Sequence, residues 1–368
     1  MPDAPLLRPV PASLVYLVKN RPATGPVAAR LAACALAAGC ALPTDAPSWE
    51  TRWSIPAAST DISVRSLLPE GMSVSADSAA FLVAVDPVVL SRTISDDCRA
   101  CAVLNGQTIA KPDFVLRATG GATLPADVEA ARLVAGSAID VTIENQLGFD
   151  PLRVAGAASE GRLIVVVRSG ADVVAADTVR SADTPLPAGA VLRRTLPVRQ
   201  VTVGRDLAVE AVIESPAGEP VRIDAGRALV VRASASTLRF GDARVRIASR
   251  AVQTTALEID LSGVPDAVRD RVEGGELVLD VDDPMAVRGT LLLELAGDGA
   301  RIEKSVVLDG SGVRRVAFTR DELATLFGHR VVLTGRGPVS TAAPVTVTPR
   351  SAVRVRARFD FTLRTESR

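Results

Sequence analysis

Four cysteines and one histidine bound the chemistry open to this chain of 368 residues. Cys98 and Cys101 form a C-x-x-C pair just after Asp96-Asp97, in a stretch that reads as a polar loop. That spacing suits a redox dithiol, half of a zinc site, a haem attachment or a local disulfide. A thioredoxin-like centre needs a strand running into a helix, and residues 91–97 show no clear pattern of that kind. A zinc site needs two more ligands, and the chain has no second Cys pair and only His329. Covalent haem would need a histidine where Ala102 stands. A structural disulfide in an oxidising compartment is the expectation, with a redox-active pair as the alternative. No metal and no cofactor are expected.

A single histidine also removes the base that usually activates a serine. The paired carboxylates Asp282-Asp283 fall in a turn, where turn chemistry accounts for them. No glycine-rich stretch has phosphate-loop spacing. The chain is therefore expected to be no enzyme and to have no catalytic residues. Lys and Arg number 42, Asp and Glu 42, so no net charge steers the protein to nucleic acid. Aromatic residues make up 3%, poor material for stacking on bases or sugars.

The segment Arg30-Leu31-Ala32-Ala33-Cys34-Ala35-Leu36-Ala37-Ala38-Gly39-Cys40 places a charge before a short apolar run that ends in Gly-Cys. It is far shorter than the ~20 residues that span a bilayer. It resembles the signal peptide of bacterial lipoproteins, with Ala37-Ala38-Gly39-Cys40 in the place of the lipobox. Leu31-Ala32-Ala33-Cys34 fits the letters better, but almost no apolar segment separates it from Arg30. The resemblance implies cleavage before Cys40, a lipid on its sulfur and a mature chain tethered to a membrane outside the cytoplasm. Ala41 stands where an Asp would favour the inner membrane, so it also implies the outer membrane, facing the periplasm or the cell surface. Residues 1–29 are long and proline-rich for such a leader. Translation from Val27 would give a compact one.

Residues 40–48 read as a short tether with Pro43 and Pro47. Trp49 and Trp53 follow and are expected to pack on the first strand, with a place at the lipid interface as the alternative. From there the pattern is β. A β-rich region carrying the C-x-x-C pair is expected over 49–135, with a helical turn or two in Pro125-Ala126-Asp127-Val128-Glu129-Ala130-Ala131-Arg132.

Strands then alternate cleanly, as in Ile139, Val141 and Ile143. A repeat stands out. Pro220-Val221-Arg222-Ile223 and Ala228-Leu229-Val230-Val231-Arg232-Ala233 return without a gap as Pro344-Val345-Thr346-Val347 and Ala352-Val353-Arg354-Val355-Arg356-Ala357. Asp150-Pro151 and Asp283-Pro284 mark a turn in each copy. Tandem domains over 136–250 and 251–368 are expected.

Val264-Pro265-Asp266 opens a short helix, and Thr319-Arg320-Asp321-Glu322 is a capping box closed by Gly328. Leu323, Leu326 and Phe327 form an apolar side suited to burial. His329 reads as a surface residue. The last strand sets Val353, Val355, Ala357, Phe359 and Phe361 inward, against a row of Arg354, Arg356 and Arg358. Such a row is expected to be a solvated face that blocks edge pairing; an anion-binding face is the alternative.

The fold expected is mainly β: tandem immunoglobulin-like β-sandwiches with a few short helices. The strand–Asp-Pro–strand pattern is weakly similar to the water-stress domain of late-embryogenesis-abundant proteins, which implies an immunoglobulin-like sandwich and no functional residues. The function expected is a non-enzymatic binding or scaffolding lipoprotein of the cell envelope, held to the membrane through Cys40, with an envelope protein or a lipid as partner. A carrier of lipid or another apolar ligand, and a redox protein using Cys98 and Cys101, are the alternatives. Mass spectrometry of the protein from cells is expected to find Cys40, acylated, as the mature N-terminus, and no peptide from residues 1–21.

Overall fold

The computed structural model describes residues 48–153 and 160–366. The leader, Cys40 and the tether up to residue 47 lie outside the described residues.

The chain opens with β1 (Ser48–Ser63), a 3-10 turn, β2 (Met72–Val74) and β3 (Phe81–Val83). Next, β4 (Val88–Thr93) runs into helices α1 (Ile94–Asp97) and α2 (Arg99–Val103). They lead to β5 (Thr108–Lys111), β6 (Phe114–Thr123), β7 (Val128–Leu133) and β8 (Ala138–Asn145). After β8 come β9 (Arg162–Ser169), β10 (Asp172–Arg180), β11 (Val191–Pro197) and β12 (Thr202–Gly204). Then follow β13 (Asp206–Ser215), β14 (Gly218–Arg222) and the long β15 (Ala228–Val245). The last third holds β16 (Arg250–Gln253), β17 (Leu257–Asp260), α3 (Asp266–Arg269), β18 (Val272–Asp282) and β19 (Val287–Gly297). It closes with β20 (Ala300–Asp309), β21 (Gly312–Thr319), α4 (Arg320–Leu326), β22 (Arg330–Thr341), β23 (Val345–Val347) and β24 (Ala352–Glu366).

These strands build two sandwiches with the same wiring. In the first, a sheet ordered β4-β15-β8-β11 packs on one ordered β10-β9-β13-β6. In the second, β1-β24-β18-β21 packs on β20-β19-β22, with β16 and β17 both on the outer side of β22. The duplication read from the repeat is thus visible strand for strand, and its best-matched segments are β14–β15 and β23–β24. Tandem β-sandwiches with a few short helices are the architecture. Within the sandwich class, eight strands in this order make a jelly roll, so the likeness to immunoglobulin domains extends to the two packed sheets and not to their wiring.

The expected domain limits need correction. Region 49–135 is no separate body, because its strands complete both sandwiches: β1 pairs with β24, while β4 and β6 flank β15 and β13. The first sandwich is therefore inserted between the first and second strands of the other, and neither 136–250 nor 251–368 is a whole domain. A middle sheet joins them. The second half of β15 pairs with β3, β7 and β23. Beside it, Ile247 and Thr341 are joined twice: Thr341 N–H donates to Ile247 O (2.9 Å), and Ile247 N–H donates to the Thr341 side chain at Oγ1 (3.0 Å).

A second correction concerns 125–132, where β7 replaces the expected helix. Val128, Ala131 and Leu133 are buried, and β7 is bonded to β15 on one side and β12 on the other. Two ladders outweigh the helix propensity of Ala, Glu and Arg. The C-x-x-C pair likewise sits in α1–α2 and not in an open loop.

Local signals held elsewhere. Thr319 Oγ1 accepts from Glu322 N–H and Glu322 Oε2 accepts from Thr319 N–H, the expected capping box, and Leu323, Leu326 and Phe327 are buried. The inward residues of β24 are buried. Its arginine row is exposed and partly neutralised, with Arg354 3.8 Å from Asp282 and Arg358 3.2 Å from Asp360. Trp53, expected to pack on the first strand, is instead 44% exposed on β1. His329 is near the surface, 3.6 Å from Asp298.

The second sandwich depends on a strand contributed from far upstream. Ile62, 2% exposed, lies on that strand. Ile62→Ala is expected to cost about 2–5 kcal/mol by urea denaturation. A chain begun at residue 64 leaves the β24 edge unpaired and is expected to aggregate, as light scattering would show.

Candidate functional site

At the far end of the first sandwich, four connections come together. Among the described residues they are 94–113, 146–153 with 160–161, 181–190 and 216–227. Two of the equivalent connections of the second sandwich are reduced: 283–286 stands for 146–161, and 310–311 for 181–190; 342–351, with β23, matches 216–227, with β14, in length. That end of the second sandwich abuts the middle sheet, through the pairing of β23 with β15 and the Thr341–Ile247 contacts. The end of the first is open and forms a concavity of about 690 Å3, beside a smaller one of about 310 Å3. The two share Gly148 and Ala188.

Buried polar side chains hold the loops. Asn145 is fully buried: its Nδ2 donates to Phe149 O (2.9 Å) and Leu186 O (2.7 Å), and its Oδ1 accepts from Leu147 N–H (2.9 Å). Asp150 accepts from Leu152 N–H at Oδ1 (2.9 Å) and from Leu186 N–H at Oδ2 (3.0 Å), so one carboxylate joins two loops. In the other copy Asp283 accepts from Met285 N–H (2.9 Å) and Val287 N–H (2.6 Å). The Asp-Pro turn is thus the same device twice. Burial pushes the Asp283 carboxyl above the usual carboxylate range, although backbone N–H groups pull the other way. Gly161 stands where the chain enters β9: a Cβ there would lie 2.5 Å from Leu152 O.

Lys111, 3% exposed, donates from Nζ to Pro151 O (3.2 Å) and Arg153 O (2.8 Å). Burial lowers its pKa to about 8, against the opposing pull of Asp150. The sequence reading did not single it out. The signal was there: the chain has three lysines in an otherwise arginine-based set, and a compact ammonium suits a site built from converging carbonyls.

The rim is polar and holds both charges. Glu144 accepts from Gln146 Nε2 (3.1 Å), Arg227 pairs with Asp224 (3.0 Å), and the exposed Arg222 has no side-chain partner among the described residues.

Cys98 and Cys101 are bonded, with sulfurs 2.00 Å apart, and are 8% and 0% exposed. They staple the turn from α1 to α2, which carries Asn105 and Gly106 to the concavity. Asn105 Oδ1 accepts from Ala225 N–H (2.9 Å) and Gly106 N–H donates to Ile223 O (2.7 Å), so the stapled segment backs one wall. Burial of both sulfurs shields the bond from an attacking thiolate. Among the described residues no group of three or more His, Cys, Asp and Glu is placed to hold a metal ion, and no helix is long and apolar enough to cross a membrane.

Lys111 predicts a pH signature. Between about 8 and 10.5 the unfolded chain holds a proton that the folded chain releases, so stability rises with pH across that window. The difference in unfolding free energy between the wild type and Lys111→Met, measured by urea titration from pH 7 to 10, is expected to show that slope.

No protein-family model matches the chain, and no curated protein matches it in sequence. Among solved structures it is similar to a predicted secreted protein of Parabacteroides distasonis, at 9% identity over 84% of this chain and 99% of that one, with a TM-score of 0.33. It is similar also to a protein of Broad bean stain virus, at 10% identity over 81% and 92%, with a TM-score of 0.21. A tandem CBM22 domain of Xyn10C from Paenibacillus barcinonensis shows 10% identity over 82% and 96%, with a TM-score of 0.17. Likeness at this level brings no function to the chain.

Proposed function

We propose that this chain is an extracytoplasmic lipoprotein of the bacterial envelope, anchored through Cys40, that acts without catalysis by binding a partner at the tip of its first sandwich. One observation carries the reading. Two copies of one framework differ at the same end, abutting the middle sheet in the second and grown into a loop-walled concavity of about 690 Å3 in the first. Loops raised on a rigid sandwich are where binding residues concentrate.

The placement of the tip supports display away from a membrane. Ser54 Oγ donates to Asp360 Oδ1 (2.7 Å) while Val64 N–H meets Ser351 O, so β1 runs antiparallel to β24 and its Glu50 end lies away from the middle sheet. The tip concavity lies beyond the middle sheet, at the Ala228 end of β15. The Glu50 end of β1 and the tip concavity thus lie on opposite sides of the middle sheet. The buried Cys98–Cys101 bond fits an oxidising compartment.

The other readings lose ground. A carrier of an apolar ligand needs a cavity of hundreds of Å3, and the apolar pocket beside Val88, Ile139 and Leu207 in the first sandwich holds about 30 Å3. A redox role needs sulfurs that a thiolate can reach, and these are buried.

Cys40→Ser is expected to move the protein from the membrane fraction to the soluble one. The double variant Arg222→Glu, Glu144→Lys is expected to stay in the membrane fraction and to lose the species crosslinked to the wild type in cells. An unchanged crosslinking pattern would remove the tip from the proposal.

A further inference from the structure

The chemistry of the rim narrows the ligand. We propose that the tip concavity binds a short peptide with free ends, its terminal ammonium at Glu144 and its terminal carboxylate at Arg222. This rests on the reading of the tip as the binding face.

Three features argue for it. First, the concavity offers one accessible acid and one accessible base that the fold does not use: Glu144 accepts only from Gln146, and Arg222 has no side-chain partner among the described residues. Arg227 is engaged with Asp224 at 3.0 Å, so the site holds no cluster of free cations for a polyanion. Opposite charges facing one space match a zwitterion, and guanidinium–carboxylate pairing is planar and two-pronged.

Second, among the described residues no aromatic side chain lines the concavity. That disfavours quaternary ammonium groups, which are held in aromatic cages, and sugars held by stacking. Third, Gly106, Gly148 and Gly189 lie along its lining. The N–H groups of Gly106 and Gly189 are bonded to Ile223 O and Asn145 O, but the absence of side chains lets a ligand made of amides approach the backbone closely there. The volume of about 690 Å3 exceeds that of a single amino acid and suits a few residues.

The test uses the detergent-solubilised full-length chain with tetra-alanine as the probe, free at both ends or capped as the N-acetyl amide, by isothermal titration calorimetry. Wild-type protein is expected to bind the free-ended peptide about tenfold or more tightly than the capped one, the equivalent of one charge-assisted contact. Arg222→Ala and Glu144→Ala are each expected to remove that preference while melting at the wild-type temperature. Equal binding of both peptides, or binding of neither, overturns the proposal. So does tight binding of phosphoethanolamine in place of the peptide. If the peptide fails while crosslinking in cells still depends on Arg222, the ligand class is wrong and the binding face stands. If both fail, the tip reading falls as well.

Discussion

The hydrogen-bond ladder along β15 is the interaction on which the rest depends. Its first half, from Ala228 to Ala233, lies between β4 and β8, and its second half, from Leu238, lies between β3 and β7 and meets β23 at its end. Eighteen residues at about 3.3 Å each carry the chain roughly 60 Å. The pairing with β8 shifts register between Ser234 and Thr237, so one strand serves two sheets. Every buried N–H and C=O along it needs a partner. The first sandwich is therefore no pendant module. Lifting it from the second would break the middle sheet first.

That constraint explains how two copies of one framework came to differ. The inward faces cannot drift, because each strand must keep alternate apolar residues in one shared core. Ile139, Val141 and Ile143 do this in one copy, and Val353, Val355 and Phe359 in the other. Connections are freer, since loop closure costs grow only slowly with length. In the second copy the end that carries 283–286 and 310–311 abuts the middle sheet, and long loops there would collide with it. In the first copy the same end meets solvent, and its connections have room.

What the sequence revealed follows from the range of each interaction. The capping box of α4, the inward face of β24 and the repeat at β14–β15 and β23–β24 rest on neighbours a few positions apart, and all are legible. The partner of β1 is not, because β24 lies some three hundred residues downstream and alternation says nothing of which edge a strand joins. β7 was masked by its own composition, since Ala130-Ala131-Arg132 favours a helix until two ladders are present. Asp150-Pro151 was legible as a turn. The reach of that carboxylate to Leu186 N–H, which makes the turn a clasp between two loops, was not.

The tip owes its character to where its hydrogen bonds go. Asn145 and Asp150 direct theirs at backbone groups of the neighbouring loops, and the buried Lys111 amine is held by two carbonyls. Groups so engaged would have to break those bonds to attack or protonate a ligand, and each broken bond would leave a buried polar atom exposed to no partner. They act instead by fixing the loops before a ligand arrives, which spares the ordering entropy that flexible sites lose on binding. The groups free to turn outward are those of the rim, Glu144 and Arg222 among them. Saturated internal polar groups and free peripheral charges are the arrangement that the proposed binding role calls for.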